Sequence, residues 1–471
     1  MGKKKVIVAG HICLDITPVF PKNKIKKVSE ILQPGKLIQM GAADVHTGGA
    51  VANTGLAMKF LGADVSLMGK IGTDAFGDMI INILKKHGAE KGMIRDAEST
   101  TSYSVVLAMP GIDRIFLHHP GANDTFVTED IVADVSVAAN SVADSVAGSA
   151  ADSVADSAVN SVADSAVDSI ADSVVGEVSG ALEEPALFHF GYPPIMKKMY
   201  ENDGDELVKL MKTVKEAGVS TSLDLAAVDA ESEAGQADWN EILKKTLPYV
   251  DFFAPSVEEL CFMIDRPRYE AWQQRYEDAQ KESDDSKISE CAKDDKTVEG
   301  ARGSKISENT KDNKTVEDAR AGKSTEAGGI SDITEILDLE HDIKPLADKC
   351  MEYGCKVLLI KCGAPGIYFK TAGEDKLSQI SERVGLDVSS WSDKSWFEKS
   401  YVPDCILSGT GAGDTSIAAF LTAMLEGYTP ERCLQLMTAT GASCVTAYDS
   451  LSGLKTFDEL IEKIDKGWKK C

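Results

Sequence analysis

Residues Leu407–Leu425 read LSGTGAGDTSIAAFLTAML. Gly409, Gly411, Ala412 and Gly413 make a turn too small to shield its own backbone, and a helical run of small and apolar residues follows. Unpaired N–H groups and the positive end of the helix dipole then point the same way, which makes an anion cradle. Yet an acid, Asp414, stands at its mouth. No lysine follows the glycines, so this is not a Walker A loop. Asp414 also stands where a Rossmann fingerprint needs its third glycine, and the loop lies far from a first βαβ unit. What remains is an anion hole from the backbone of Gly411, Ala412 and Gly413 with a carboxylate beside it. A carboxylate there opposes a bound phosphate unless it has a task, such as taking the proton from a hydroxyl that attacks the γ-phosphate. A plain helix N-cap explains Asp414 equally well.

A second constellation lies at residues 46–77, HTGGAVANTGLAMKFLGADVSLMGKIGTDAFG. Gly48 and Gly49 open a helix with Asn53 one turn inside. Bare backbone amides and an amide side chain on one helix end suit a polyol; close backbone packing by the two glycines is the competing explanation. Asp15, expected in the loop after the first strand, suits paired sugar hydroxyls.

Together these stretches resemble the ribokinase-like, or PfkB, carbohydrate kinase family. The marks are the diglycine, Asn53 and the following Leu-Gly near the N-terminus, and TGAGDT with its small-residue helix near the C-terminus. The resemblance covers nearly the whole chain outside two biased segments. It implies a three-layer α/β/α sandwich with a mainly parallel sheet and a small β lid. It also implies Asp414 as catalytic base, Gly411, Ala412 and Gly413 as anion hole, and Asp15, Gly48, Gly49 and Asn53 as sugar contacts. The expected activity is transfer of the γ-phosphoryl of ATP to a hydroxymethyl group of a sugar or sugar-like molecule, with Mg²⁺. A nucleoside kinase on the same fold, or a sugar-binding regulatory homologue without turnover, are the alternatives.

Further matches extend the resemblance. PSVEEL aligns with the family's Asn-x-x-Glu motif, which helps place Mg²⁺ and the triphosphate. Glu259 takes the glutamate position, acting through water or phosphate, and Ser256 replaces the asparagine. Ser256-x-x-Glu259 is also a capping box, which requires no ligand. KCGAPGIYF resembles the nucleotide-side turn, placing Lys361, Gly363 and Gly366 near ATP; a strand-turn-strand is the simpler explanation. The family often has Asp-Thr-Thr before Gly-Ala-Gly-Asp, where the acid helps hold a monovalent cation. Here Ser408, Gly409 and Thr410 stand instead, so potassium activation does not follow. Asn123 in PGAND matches the segment leaving the lid.

Outward from these motifs, short β-branched runs alternate with amphipathic ones (KVIVAG, GAVANTGLAMKFLG, DVSLMGKIG, FGDMIINILKKHG, ALFHFGY, ELVKLMKTVKEAG). That alternation means βαβ units and a parallel sheet covered on both faces. Ligands of such sheets sit beyond the carboxyl ends of the strands. Residues 17–45 and 100–120 look like strands without helices, the second with a turn at Pro110–Asp113, and suit a lid or an antiparallel edge of the main sheet. The core is then residues 1–16, 46–99 and 121–471. Two insertions interrupt it: the Val-Ala-Asp-Ser tract at 135–180, and the charged segment 277–330, where SKISECAKDDKTVEGARG from Ser286 is repeated at 13 of 18 positions from Ser304. The first is expected to be disordered or loosely helical, and the second cannot bury enough apolar surface to fold alone.

The formal charge of −25 is concentrated rather than spread, since 13 acids and no Lys or Arg lie between Arg114 and Lys197. It argues against a nucleic-acid partner, which needs a basic face. The 10 cysteines have no CxxC pair or zinc spacing, and together with the absence of a secretory signal they suit a reducing cytoplasm. Adjacent His118 and His119 point to opposite strand faces and share no metal. No run reaches the ~18 apolar residues of a membrane span. The expected partner is a small-molecule sugar, and by family analogy a second copy through the lid.

Overall fold

The computed structural model describes residues 3–20, 28–109, 114–131, 185–294 and 332–471. The turn at Pro110–Asp113, the tract 135–180 and most of the charged segment lie outside the described residues.

Among the described residues, nine strands form one sheet in the order β13-β12-β11-β10-β9-β8-β1-β4-β5. They are β1 (Lys5–Gly10), β4 (Asp64–Gly72), β5 (Gly92–Asp96), β8 (Leu187–Gly191), β9 (Ser220–Asp224), β10 (Phe252–Phe253), β11 (Val357–Lys361), β12 (Gly366–Thr371) and β13 (Ser395–Lys399). Neighbours from β11 to β5 are parallel, whereas β12 and β13 add on antiparallel. Strand alternation divides the apolar residues between two cores: Val6, Val8, Val357 and Leu359 face one, and Ile7, Ala9, Leu358 and Ile360 the other.

The first core is covered by α1 (Gly49–Phe60), α2 (Ala75–Lys85), α7 (Ala412–Leu425) and α8 (Pro430–Cys444). The second is covered by α3 (Asp205–Glu216), α4 (Val257–Ile264) and α6 (Lys344–Glu352). The architecture is thus a three-layer α/β/α sandwich. Every residue of α7 from Asp414 to Leu425 is buried, which explains why its sequence carries small and apolar residues all round rather than a stripe. α5 (Arg266–Asp294) continues into the start of the charged segment. It is anchored by buried Trp272, whose indole N–H donates to Asp342 Oδ1 at 2.8 Å. Residues 277–294 follow as the end of that helix, a helical course that their composition did not suggest.

Four strands form a second sheet in the order β3-β2-β6-β7. They are β2 (Cys13–Pro18), β3 (Ala43–Gly48), β6 (Tyr103–Leu107) and β7 (Ile115–His119). It is a separate sheet, not an edge of the main one. It begins at Cys13, only two residues after β1, and includes Thr47 and Gly48, so Asp15 lies within a strand rather than a loop. Its joint to the body is stitched by buried Asn123, whose Oδ1 accepts from Ile12 N at 3.1 Å while its Nδ2 donates to Ile12 O at 2.9 Å.

Candidate active site

A cleft of about 960 Å³ opens beyond the carboxyl ends of the parallel strands. His11 follows β1, Tyr192 follows β8, and Ala226 lies just past β9; α1 supplies Gly49 and Asn53, and the second sheet supplies Asp15, Ser104 and His118. Gly409, Thr410, Gly411 and Asp414 close it from the α7 side, with Glu259 nearby.

Asp414 is not the cap of α7. Gly411 occupies that position with φ +72° and no side-chain cap, and a Cβ there would lie 2.3 Å from Ser450 Cβ, so only glycine fits. Asp414 instead sits in the first turn, 4% exposed, with its carboxylate fully engaged. Asn53 Nδ2 donates to Oδ2 at 3.1 Å and Thr54 Oγ1 to Oδ1 at 3.3 Å, while the Tyr192 hydroxyl reaches Oδ1 at 2.9 Å and Oδ2 at 2.8 Å. Asn53 is itself oriented, because its Oδ1 accepts from Ser450 Oγ at 2.9 Å. The acid near the C-terminus and the diglycine helix near the N-terminus thus meet at hydrogen-bonding distance.

Burial pushes the Asp414 carboxyl above its usual range, opposed by Lys361, Tyr192, Asn53 and Thr54. Burial and the Asp414 charge in turn hold the Tyr192 phenol well above its ordinary value, so it stays a donor. At the α7 N-terminus the N–H of Ala412 turns to Gly409 O at 3.3 Å, and those of Gly413 and Asp414 belong to the helix start that lacks intrahelical acceptors.

Lys361 ends β11 with its ammonium 2.7 Å from Asp224 Oδ1 at the end of β9. Its stem passes Gly413, where an added Cβ would stand 3.6 Å from Cδ. Burial works against the Lys361 charge, but Asp224, Glu259 and Asp414 raise its pKa above the usual value. Burial, with Glu259 and Asp414 adding, pushes Asp224 up to about 7 against the pull of Lys361. Lys361 is ion-paired with Asp224 alone, Glu259 and Asp414 acting on it from farther off, and among the described residues no three His, Cys, Asp or Glu side chains cluster so as to hold a metal ion. Arg114, just before β7, is the only Lys or Arg among the described residues lining the cleft.

Gly48 lies behind Asp15, whose Oδ2 would be 2.1 Å from a Cβ at 48, and Gly49 lines the cleft. Close packing is therefore part of what the diglycine does. Ser256 and Glu259 form the reciprocal capping box of α4, with Ser256 N donating to Glu259 Oε2 at 2.9 Å and Glu259 N to Ser256 Oγ at 3.2 Å. Gly363 and Gly366 flank the β11–β12 turn away from the cleft lining. His118 bonds Ser104 Oγ at 3.1 Å and His119 bonds Thr100 Oγ1 at 2.8 Å, on opposite faces. Ser408 Oγ donates to Thr410 Oγ1 at 3.0 Å.

Sequence reasoning missed Tyr192, Thr54, Asp224, Arg114 and His11. Tyr192 was findable as the residue closing ALFHFGY, and Asp224 as the acid that ends the run at Ser220–Asp224. Thr54 and Arg114 carry no local signal.

The chain matches the model of the pfkB family carbohydrate kinases over residues 3–184 and 324–456. It belongs to that family. It is similar to Fructokinase-2 of Oryza sativa subsp. japonica, 36% identical over 96 residues that make 20% of this chain and 28% of that protein. It is also similar to the Ribokinase of Arabidopsis thaliana, 33% identical over 98 residues, 21% of each. The matched stretches thus span less than a third of either relative. Among solved structures, Arabidopsis thaliana ribokinase complexed with ribose and ATP superposes with a TM-score of 0.56 at 16% identity, covering 98% of both chains. The Methanocaldococcus jannaschii nucleoside kinase gives 0.51 at 15%, covering 99% of this chain and 100% of that one. At these identities the likeness is one of fold, and that fold is ribokinase-like.

Proposed function

We propose that the protein is an ATP-dependent phosphotransferase that moves the γ-phosphoryl of ATP to a hydroxymethyl group of a sugar or sugar-like small molecule. The observation that carries this reading is the 3.1 Å bond between Asn53 and Asp414, which joins the carboxylate at the α7 cradle to the diglycine helix in a cleft that Asp15 also lines.

In this reading Asp15, Gly49 and Asn53 hold the acceptor, with Gly48 giving Asp15 its room. Asp414 takes the hydroxyl proton as the oxygen bonds to the γ-phosphorus. The bond to the β-phosphate oxygen breaks in line, and ADP leaves. Tyr192, Asn53 and Thr54 keep Asp414 aimed, while the backbone of Gly411, Ala412 and Gly413 receives the phosphoryl oxygens. Arg114 faces that cradle from the second sheet, which acts as a lid, and Lys361 balances charge below it. Ser256 and Lys361, with the turn glycines Gly363 and Gly366, form the nucleotide side. Mg²⁺ needs no full protein cage here, because this ion is typically held by one or two carboxylates plus phosphates and waters. Glu259 is the residue that would hold it, through water or phosphate, and the ion would neutralise charge between the β- and γ-phosphates.

The cleft continues past Tyr192 along Pro194, Ile195 and Ala226–Val228, room that favours testing nucleosides as the second acceptor class. The test is ADP production from ATP and Mg²⁺ with a panel of sugars, sugar acids and nucleosides. Stimulation by one class, abolished by Asp414→Asn, is the expected result. Binding without ADP from any acceptor would favour a sensor and refute the kinase. Pairing of two copies through β7, an edge strand that exposes Phe116 and Leu117, belongs to the same reading and is read by light scattering.

A further inference from the structure

The cleft is lined by five acids and, among the described residues, one arginine: Asp15, Asp124, Asp229, Glu259, Asp414 and Arg114. The arginine is committed to the α7 cradle, because a Cβ built on Gly409 would lie 3.5 Å from one of its guanidinium nitrogens. Glu259 and Asp414 belong to the same end, where both act on Lys361. The rest of the cleft keeps Asp15, Asp124 and Asp229, with no lysine or arginine among the described residues that line it. His11 and His118 add no positive charge at neutral pH, since burial holds both imidazoles below their ordinary pKa.

Asp124 lies in the 3₁₀ turn Gly121–Thr125 that follows β7. Its Oδ1 accepts from Lys197 N at 2.8 Å. Its Oδ2 has no partner among the described residues and is not closed off from solvent. The Lys197 ammonium is paired with Glu233 at 3.1 Å and does not line the cleft. Burial raises the Asp124 carboxyl, and the Lys197 backbone and ammonium pull the other way, as expected of a carboxylate short of donors. Tyr200 stands nearby on the cleft wall, its phenol kept protonated by burial and by the Asp124 charge.

We propose that Asp124 is a specificity-determining residue of the acceptor end: its open oxygen takes a hydroxyl or amino donor of the substrate, and its charge, with those of Asp15 and Asp229, restricts acceptors to uncharged or cationic molecules. Sugar phosphates and sugar acids are rejected, because a ligand anion would meet these carboxylates with no cation to share it. The inference rests on the phosphotransferase reading and names the charge class of its acceptor.

The test uses the full chain with D-fructose, D-glucosamine and adenosine against fructose 6-phosphate and D-gluconate, all of which carry a primary hydroxyl. The best acceptor should be one of the first three, with kcat/KM at least about ten-fold above either anion. Asp124→Asn should lower kcat/KM for that acceptor and narrow its lead over the anions, with KM for ATP unchanged. A loss equal for every acceptor would reduce Asp124 to a cap on Lys197 and overturn the proposal. So would an anion as the best acceptor, or a protein that distinguishes none of the probes. Titration calorimetry with the same probes needs no turnover. Preferential binding of an uncharged or cationic probe without ADP formation would sink the kinase reading and leave this one standing, whereas ADP formed best from fructose 6-phosphate would do the reverse.

Discussion

The Tyr192 hydroxyl lies 2.9 Å from Asp414 Oδ1 and 2.8 Å from Oδ2, so one phenolic donor straddles both oxygens of the buried acid. Tyr192 does this from a left-handed backbone, φ 69°, a conformation uncommon for a bulky residue and worth a functional explanation. Asp414 is thus positioned from three directions, by α1, by the end of β8 and by its own helix.

Asp414→Asn should lower kcat by about 10² to 10⁴, the usual cost of losing a positioned base. Because burial already disfavours the charged carboxylate, the amide should leave the melting temperature unchanged or raised. Calorimetry beside a coupled ADP assay separates the two effects, and full turnover by the variant would refute the assignment.

The acid limb of kcat/KM should lie above the ordinary carboxylate value of about 3.9, since Asp414 must be ionised to act and burial raises its pKa. Tyr192 opposes that rise. Tyr192→Phe should therefore move the limb to still higher pH, and a pH–rate profile shifted the other way would contradict the role given to the phenol.

Removing the ammonium with Lys361→Met should cost about 3–5 kcal/mol, because it strands a buried carboxylate; adding Asp224→Asn should recover much of it. The folded pKa of Asp224, about 7, exceeds its unfolded value. Its contribution to stability is thus full in acid and is lost as pH rises through about 7. Nucleotide-free melting temperatures should fall over that window relative to Asp224→Asn, and parallel curves would speak against the raised pKa that burial gives this acid.

Arg114→Ala should cut kcat by about 10²- to 10³-fold, in line with loss of one donor to developing charge. Acceptor affinity by titration calorimetry should stay as it was, and Arg114→Lys should recover part of the rate. A variant with normal kcat would remove Arg114 from the reaction.

The two halves of the α4 capping box should come apart on substitution. Ser256→Ala is expected to cost about 0.5–2 kcal/mol as a lost cap with little change in Mg²⁺ dependence. Glu259→Gln should raise the Mg²⁺ concentration needed for half-maximal rate. Equal effects in a magnesium titration would reduce Glu259 to a cap.

The alternation of β-branched and amphipathic runs was enough to read a parallel sheet covered on both faces, because burial on two sides leaves its mark in every strand. TGAGDT and the diglycine were legible for the same kind of reason: close approach and a left-handed turn admit few residue types. The partners of Asp414 were less so. Thr54 sits on a helix whose sequence is small and apolar, and its bond across 360 positions depends on how α1 meets α7. The second sheet was read in outline, but its start at Cys13 was hidden, since nothing in HICLD marks where one strand ends and the next begins. α5 escaped notice because its support, Asp342, is remote in sequence.

Asn123 binds both backbone groups of Ile12, so the chain's first entry into the small sheet and the exit after β7 are fastened together by a single amide. One side chain therefore ties two of the chain's crossings between the small sheet and the body. A chimera that borrowed this sheet from another protein would have to import Asn123, whereas position 12, held only through its backbone N–H and C=O, would accept any residue but proline.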